Sequence, residues 1–130
     1  MKKILLVEDH PANRKLLGDI LRRAGHEVHE VSTADDGIAR ALAGAFDLVV
    51  MDIQLPGTDG LTATRLLRAN PGPQRLPILA VTAHAMRGDE KRILEAGCDG
   101  YVAKPIAYKE FIAEVTRLLT AESATPPETK

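Results

Sequence analysis

Five short apolar runs alternate along this chain with segments whose apolar residues recur at helical spacing. Short apolar runs are typical of strands buried on both faces of a parallel sheet, and the segments between them return the chain to the same edge. The pattern predicts an α/β fold with right-handed crossovers and helices on both faces of a five-stranded parallel sheet. The expected strands are 4–7, 28–31, 48–51, 78–81 and 101–102, and the expected helices are 11–24, 32–43, 61–68, 85–97 and 108–119.

Several residues indicate where these helices begin and end. Pro11 suits the first helical position, where a missing N–H costs nothing, and Gly25 suits the position just after a helix. Ser32 and Asp35 have the spacing of a capping box, so Ser32 is expected to cap the second helix. Gly37 is expected to weaken that helix. The strand before it alternates apolar with polar residues, which is typical of an edge strand.

Polar side chains follow four of the five predicted strands: Glu8 with Asp9, then Asp52, Thr82 and Lys104. Parallel strands end on one edge of their sheet, so these side chains are expected to converge there. Three adjacent carboxylates repel one another unless a cation lies between them, and oxygen ligands of this kind suit Mg²⁺. A carboxylate beside a metal ion, an amine and a hydroxyl is the set that an aspartyl phosphate requires. The sequence therefore predicts phosphoryl transfer to Asp52.

These motifs resemble, in their order along the chain, the receiver domain of the two-component response regulators. The resemblance covers Lys2 to Leu119 and implies a flavodoxin-like (βα)5 fold with strand order 2-1-3-4-5. Within the family, the stretch AVTAHAMRGDEKRILEAGCDGYVAKPI is most similar to standalone regulators of the DivK type and to receivers of hybrid kinases. The matching motifs are Glu8-Asp9, the loop from Asp52 through Leu55-Pro56 to Gly60, Thr82-Ala83, Tyr101 and Lys104-Pro105.

The resemblance implies a metal site and a phosphoacceptor. Asp52 would accept the phosphoryl group. Asp9, Asp52 and the backbone carbonyl of Gln54 would bind Mg²⁺ directly, and Glu8 would act through water.

The resemblance also implies how the site works. Lys104 and Thr82 would contact the phosphoryl group, Thr82 and Tyr101 would form the switch, and Gln54 and His84 would tune the lifetime of the phosphate. A sensor histidine kinase or a histidine phosphotransferase would supply the phosphoryl group from a phosphohistidine. This switch would alter the face made by the fourth helix, the fifth strand and the fifth helix, and that face would then bind a downstream protein. The domain would be no enzyme beyond its own phosphorylation and dephosphorylation.

Alternative interpretations of these residues remain open at this stage. Asp52 could simply cap its loop, Thr82 could be an ordinary strand-end hydroxyl, Tyr101 could only pack, and His84 could be an uninvolved surface residue. The chain could instead be a phosphatase with an aspartate nucleophile, although such enzymes place a second acid where this chain has Gln54. It could also be an interaction module whose phosphorylation machinery has decayed, although none of the expected residues is missing.

Length and composition limit the remaining possibilities. A chain of 130 residues is expected to form one domain, here 1–120, followed by a disordered tail over 121–130 rich in Ser, Thr, Pro and Glu. Met1 and the short tail favour a standalone protein. The net charge of −1, from 17 basic and 18 acidic residues, argues against nucleic acid or an anionic membrane as a partner. No apolar run is long enough for a membrane span, and the single Cys98 suits the cytoplasm.

Overall fold

Ten elements alternate between strand and helix in the computed structural model of the protein. It describes residues 2–55, 57, 59–69, 76–83 and 89–124, and for residues 89 and 121–124 it describes the backbone alone. The elements, in chain order, are β1 (Lys3–Val7), α1 (Pro11–Arg23), β2 (Glu27–Val31), α2 (Ala34–Ala43), β3 (Leu48–Asp52), α3 (Gly60–Ala69), β4 (Ile78–Thr82), α4 (Asp89–Ala96), β5 (Gly100–Ala103) and α5 (Tyr108–Ala124).

The sheet has the predicted topology. Its strand order is β2-β1-β3-β4-β5, and all four neighbouring pairs run parallel. The predicted fold class and strand order are therefore confirmed. The strand with alternating polar residues, β2, lies at one edge, as expected. In the register of the two central strands, Asp52 lies opposite Val81, so Thr82 is one residue beyond the partner of Asp52.

Two apolar layers cover the two faces of the sheet. Because successive strand residues point to opposite faces, Leu5 and Val7 of β1 face one layer while Ile4 and Leu6 face the other. The first layer receives α2, α3 and α4, and the second receives α1 and α5. Both faces of β1, β3 and β4 are thus buried, which leaves the strand ends as the place where the central strands can expose polar groups.

The N-cap of α2 differs from the prediction by one residue. Thr33, rather than Ser32, caps the helix, and its hydroxyl accepts a hydrogen bond from the backbone N–H of Asp36 at 3.1 Å. In the helix that Thr33 caps, Gly37 is buried against β1, and a Cβ at this position would lie 2.8 Å from a methyl group of Val7. Gly37 therefore allows a close approach of helix and sheet.

The predicted end of the fifth helix differs from the structure, and the predicted start of the fourth helix lies outside the described residues. Helix α5 continues to Ala124, four residues past the expected domain end at 120, because Ala121, Glu122 and Ala124 favour helix and the first proline is Pro126. Residues 84–88, which include the predicted start of α4, and the tail residues 125–130 lie outside the described residues. Among the helices that are described, none is both long and apolar enough to cross a bilayer.

Candidate functional site

Three acidic side chains meet where β1 and β3 end. Carboxylate oxygens of Glu8, Asp9 and Asp52 lie within 4.8 Å of one another, the arrangement expected from the sequence. Asp52 is the last residue of β3 and is only 2% exposed. Glu8 is fully buried directly after β1, while Asp9 is half-buried in the loop that leads to α1. The parallel sheet therefore brings together acids that are 43 positions apart or more in the sequence.

The burial of Glu8 changes its protonation. Its Oε2 accepts a hydrogen bond from the backbone N–H of His10 at 3.0 Å, whereas its buried Oε1 has no hydrogen-bond partner among the described residues. The pKa of Glu8 is raised from 4.5 to about 7, mainly by burial and also by the neighbouring Asp52 carboxylate. A buried carboxylate oxygen without a hydrogen bond is costly, so this group is suited to a cation or to a water molecule bound to one.

Lys104 supplies the positive charge of the cluster. Its Nζ lies 3.4 Å from Oδ2 of Asp52 and 3.6 Å from Oε1 of Glu8. The backbone N–H of Lys104 donates to the carbonyl oxygen of Thr82 at 2.7 Å, and the peptide bond between Lys104 and Pro105 is cis. One residue thus connects the acidic cluster with the end of β4.

A second connection joins the loop after β3 to the end of β4. The backbone N–H of Gln54 donates to Oδ1 of Asp52 at 3.0 Å, and the side-chain oxygen of Gln54 accepts from the backbone N–H of Ala83 at 3.2 Å. Thr82, the residue before Ala83, is 1% exposed. The sequence predicted that Gln54 borders the site but not that its side chain bridges the two loops. His84 lies outside the described residues.

Tyr101 lies one strand further from the acids, on β5. Its ring is half-buried and packs against the layer formed by α2, α3 and α4. Its hydroxyl donates to the carboxylate of Glu90 on α4, and this hydrogen bond raises the pKa of Tyr101 above its ordinary value. The side chain therefore links β5 to α4, and its role as a switch stays a prediction.

Two residues shape the site without belonging to the acidic cluster. At Gly60, the first residue of α3, a Cβ would lie 2.4 Å from the carbonyl oxygen of Asp52, so the helix can start this close only with glycine. Arg14 of α1 donates from Nη1 to the carbonyl oxygens of Glu8 and Asp9. Sequence reasoning missed Arg14, although a cation near a helix start runs against the usual charge preference and could have indicated a special role.

The chain matches the family model described as response regulator receiver domain over residues 4–116. It is 37% identical over 118 residues to the polar-differentiation response regulator DivK of Brucella ovis, covering 91% of this chain and 96% of the relative. The chain belongs to the response regulator receiver domain family. Its resemblance to that family and to DivK, inferred from the sequence, is confirmed.

Solved receiver domains have the same fold. The receiver domain of the sensor histidine kinase PA1611 from Pseudomonas aeruginosa, with a magnesium ion coordinated in its active-site cleft, superposes with a TM-score of 0.85 at 37% identity. That match covers 92% of this chain and 98% of the other. A putative response regulator from Chloroflexus aurantiacus gives a TM-score of 0.87 at 30% identity over 92% of this chain and 98% of the other.

Membership of the receiver family sets the general function. Receiver domains are phosphoacceptor switches that bind Mg²⁺ and take their phosphoryl group from histidine kinases or phosphotransfer proteins in two-component signalling. The donor set in this receiver fits such an ion, because Glu8, Asp9 and Asp52 offer hard carboxylate oxygens close together and one of them, Oε1 of Glu8, is buried without a hydrogen bond.

Proposed function

We propose that Asp52 is the phosphoacceptor of this receiver domain. The observation that carries the proposal is the arrangement around it: a buried carboxylate with an amine at 3.4 Å and two further acids within 4.8 Å. In the transfer, a carboxylate oxygen of Asp52 forms a bond to phosphorus while the phosphorus–nitrogen bond of a phosphohistidine breaks. The imidazole leaves with the electron pair of that bond. The donor would be a sensor histidine kinase or a histidine phosphotransferase.

The neighbouring residues have separate tasks in this proposal. Asp9 and Asp52, with the backbone carbonyl of Gln54, would hold Mg²⁺, and Glu8 would reach it through water. The ion, when bound, would offset the negative charge of the phosphoryl oxygens and of the acids. Lys104 already lies beside Asp52, and its ammonium would hold a phosphoryl oxygen as a point charge. In this proposal, the domain catalyses only its own phosphorylation and dephosphorylation.

The proposed switch runs from Asp52 to the surface around α4. Thr82 would donate its hydroxyl to the phosphoryl group, and Tyr101 would exchange its bond to Glu90 for a more buried position. Gln54 would limit the access of water, with His84 as its partner in tuning the phosphate lifetime. The side-chain bond from Gln54 to Ala83 supports this assignment because it places the Gln54 amide between the two loops. A downstream protein would then bind the altered face.

The proposal is tested by labelling with acetyl phosphate and Mg²⁺. Intact-mass spectrometry is expected to show one added phosphoryl group on the unmutated domain and none on Asp52→Asn. Asp59→Asn is the matched control, since Asp59 is an exposed acid on the same loop that caps α3 through a hydrogen bond an asparagine can also accept. Labelling that persists in Asp52→Asn would place the acceptor elsewhere.

A second measurement addresses the switch. Beryllofluoride with Mg²⁺ mimics the phosphoryl group on an aspartate. Amide NMR spectra of the beryllofluoride form can therefore be compared with those of the metal-free domain. The amides of Ala83 and Tyr101 are expected to shift most, apart from those that touch the ion. If neither amide shifts although beryllofluoride binds, Asp52 can still be the acceptor but the proposed route to the surface is wrong.

A further inference from the structure

Arg14 reaches back from α1 to the loop that carries the two acids after β1. Its Nη1 donates to the carbonyl oxygen of Glu8 at 3.0 Å and to the carbonyl oxygen of Asp9 at 3.3 Å. One guanidinium therefore holds the main chain of both acids, while their carboxylates remain directed toward Asp52. The guanidinium does not use its hydrogen bonds to neutralise either carboxylate.

The guanidinium is itself held from the other side by an acid of β2. Nε of Arg14 lies 3.7 Å from Oε1 of Glu30, and the other oxygen of Glu30 accepts from Arg22 at 2.6 Å. Gly18 makes room for this arrangement, because a Cβ there would lie 2.6 Å from Oε2 of Glu30. The Glu30 carboxylate, which lies between two arginines, therefore attracts the Arg14 guanidinium toward β2.

The loop needs such support because of the charges it carries. Three carboxylates within 4.8 Å repel one another, and the Lys104 ammonium lies near the carboxylates of Glu8 and Asp52. By its charge alone, a cation beside a site for a divalent ion would weaken binding of that ion. The presence of Arg14 is therefore better explained by the position it gives the loop than by its charge.

We propose that Arg14 is a positioning residue for the metal site, which holds Glu8 and Asp9 in the orientation that binds Mg²⁺. This inference rests on the proposed function, because it takes the acidic cluster to be the metal site. Residues that orient metal ligands commonly change metal affinity by a factor of ten or more when they are replaced, although they never touch the ion.

Calorimetric titration with Mg²⁺ tests the inference through the sign of the effect. Replacing Arg14 by methionine removes the fork and the charge together. Loss of positioning is expected to weaken Mg²⁺ binding about tenfold, whereas loss of charge alone would tighten it. In the metal-free domain, the His10 amide, which donates to Glu8, is also expected to exchange its hydrogen faster in Arg14→Met. An affinity for Mg²⁺ that is unchanged or higher in this variant overturns the inference.

Two further variants separate positioning from general damage. Arg14→Lys keeps the charge and can still donate to a carbonyl oxygen, so it is expected to bind Mg²⁺ more tightly than Arg14→Met; a lysine variant that binds no better overturns the inference. Lys15→Met is the charge-matched control, since Lys15 is 78% exposed and pairs with Asp19 on the same helix. Its affinity for Mg²⁺ is expected to stay within a factor of about two because an exposed pair contributes little. A loss equal to that of Arg14→Met overturns the inference.

If Arg14→Met does not fold, Arg14→Gln carries the same test, because its amide is neutral and too short to reach both carbonyl oxygens and Glu30. If the unmutated domain binds no Mg²⁺, the proposed function fails. If it binds Mg²⁺ and accepts phosphate on Asp52 while Arg14→Met binds the ion equally well, only the positioning role of Arg14 fails.

Discussion

Replacing Glu8 by glutamine is expected to stabilise the metal-free domain at alkaline pH and to have little effect at acid pH. The reason is the raised pKa of this buried carboxyl group. Below pH 4.5 the folded and unfolded chains both keep its proton, so the group adds no pH dependence. As the pH rises, the unfolded chain releases the proton first and stability falls. The fall ends at about pH 7, where the folded chain releases it as well.

The size of this effect follows from the same two values. The pKa of Glu8 rises from 4.5 to about 7, and each pKa unit corresponds to about 1.4 kcal/mol. Ionisation of Glu8 should therefore destabilise the metal-free domain by about 3 kcal/mol at pH 8. For a chain of this length, that corresponds to a difference of roughly 10 °C in melting temperature. Glutamine avoids the ionisation while it keeps the shape and an oxygen for the His10 amide.

The assay is urea unfolding with a chelator at pH 4.5 and at pH 8. Glu95→Gln is the control, because it makes the same chemical change at an exposed position of α4. The difference between Glu8→Gln and the unmutated domain is expected to grow from near zero to about 3 kcal/mol between the two pH values, and that of Glu95→Gln to stay constant. A difference for Glu8→Gln that is the same at both pH values, or a less stable variant at pH 8, would refute the reasoning.

Three further predictions concern other parts of the domain. Mg²⁺ at about ten times its dissociation constant should stabilise the fold by roughly 1.4 kcal/mol. Asp9→Ala should raise the melting temperature of the metal-free domain and abolish this stabilisation. A melting temperature of the unmutated domain that does not change with Mg²⁺ would contradict the prediction. Gly60→Ala should destabilise by about 2 kcal/mol in urea, because its Cβ would meet the Asp52 carbonyl; an unchanged midpoint would refute this. Arg68→Met should destabilise by about 2 kcal/mol, through lost bonds to Gly97, Leu76 and Asp99, without altering calorimetric Mg²⁺ affinity; altered affinity would contradict it.

The convergence of the acids could be predicted because it follows from topology alone. Once the alternation of strands and helices indicates a parallel sheet, every strand must end at the same edge. Residues that follow the strands, such as Asp52 and Lys104, then have to meet there. The edge position of β2 was also predictable, since its alternating polar residues indicated a strand that is less buried than the others.

Other features depend on contacts that leave no periodic signal. Ser32 and Thr33 are both common N-cap residues, and the sequence does not distinguish them; in the structure Thr33 is the cap, and Gly37 packs against Val7. The hydrogen bond from Ala83 to the Gln54 side chain joins two loops that are 29 positions apart, and neither loop has a fixed conformation by sequence alone. Arg14 was missed because its partners are carbonyl oxygens, which every residue carries.

The double attachment of Lys104 has a consequence for how a signal would leave the site. Its ammonium lies beside Asp52, and its main chain is hydrogen-bonded to the strand that ends in Thr82. A new negative charge on Asp52 would attract the Lys104 ammonium. The backbone N–H of the same residue is bonded to the carbonyl oxygen of Thr82, so the pull would reach the end of β4. If Asp52 is the phosphoacceptor, we expect its phosphorylation to reach β4 through residues that are already in contact.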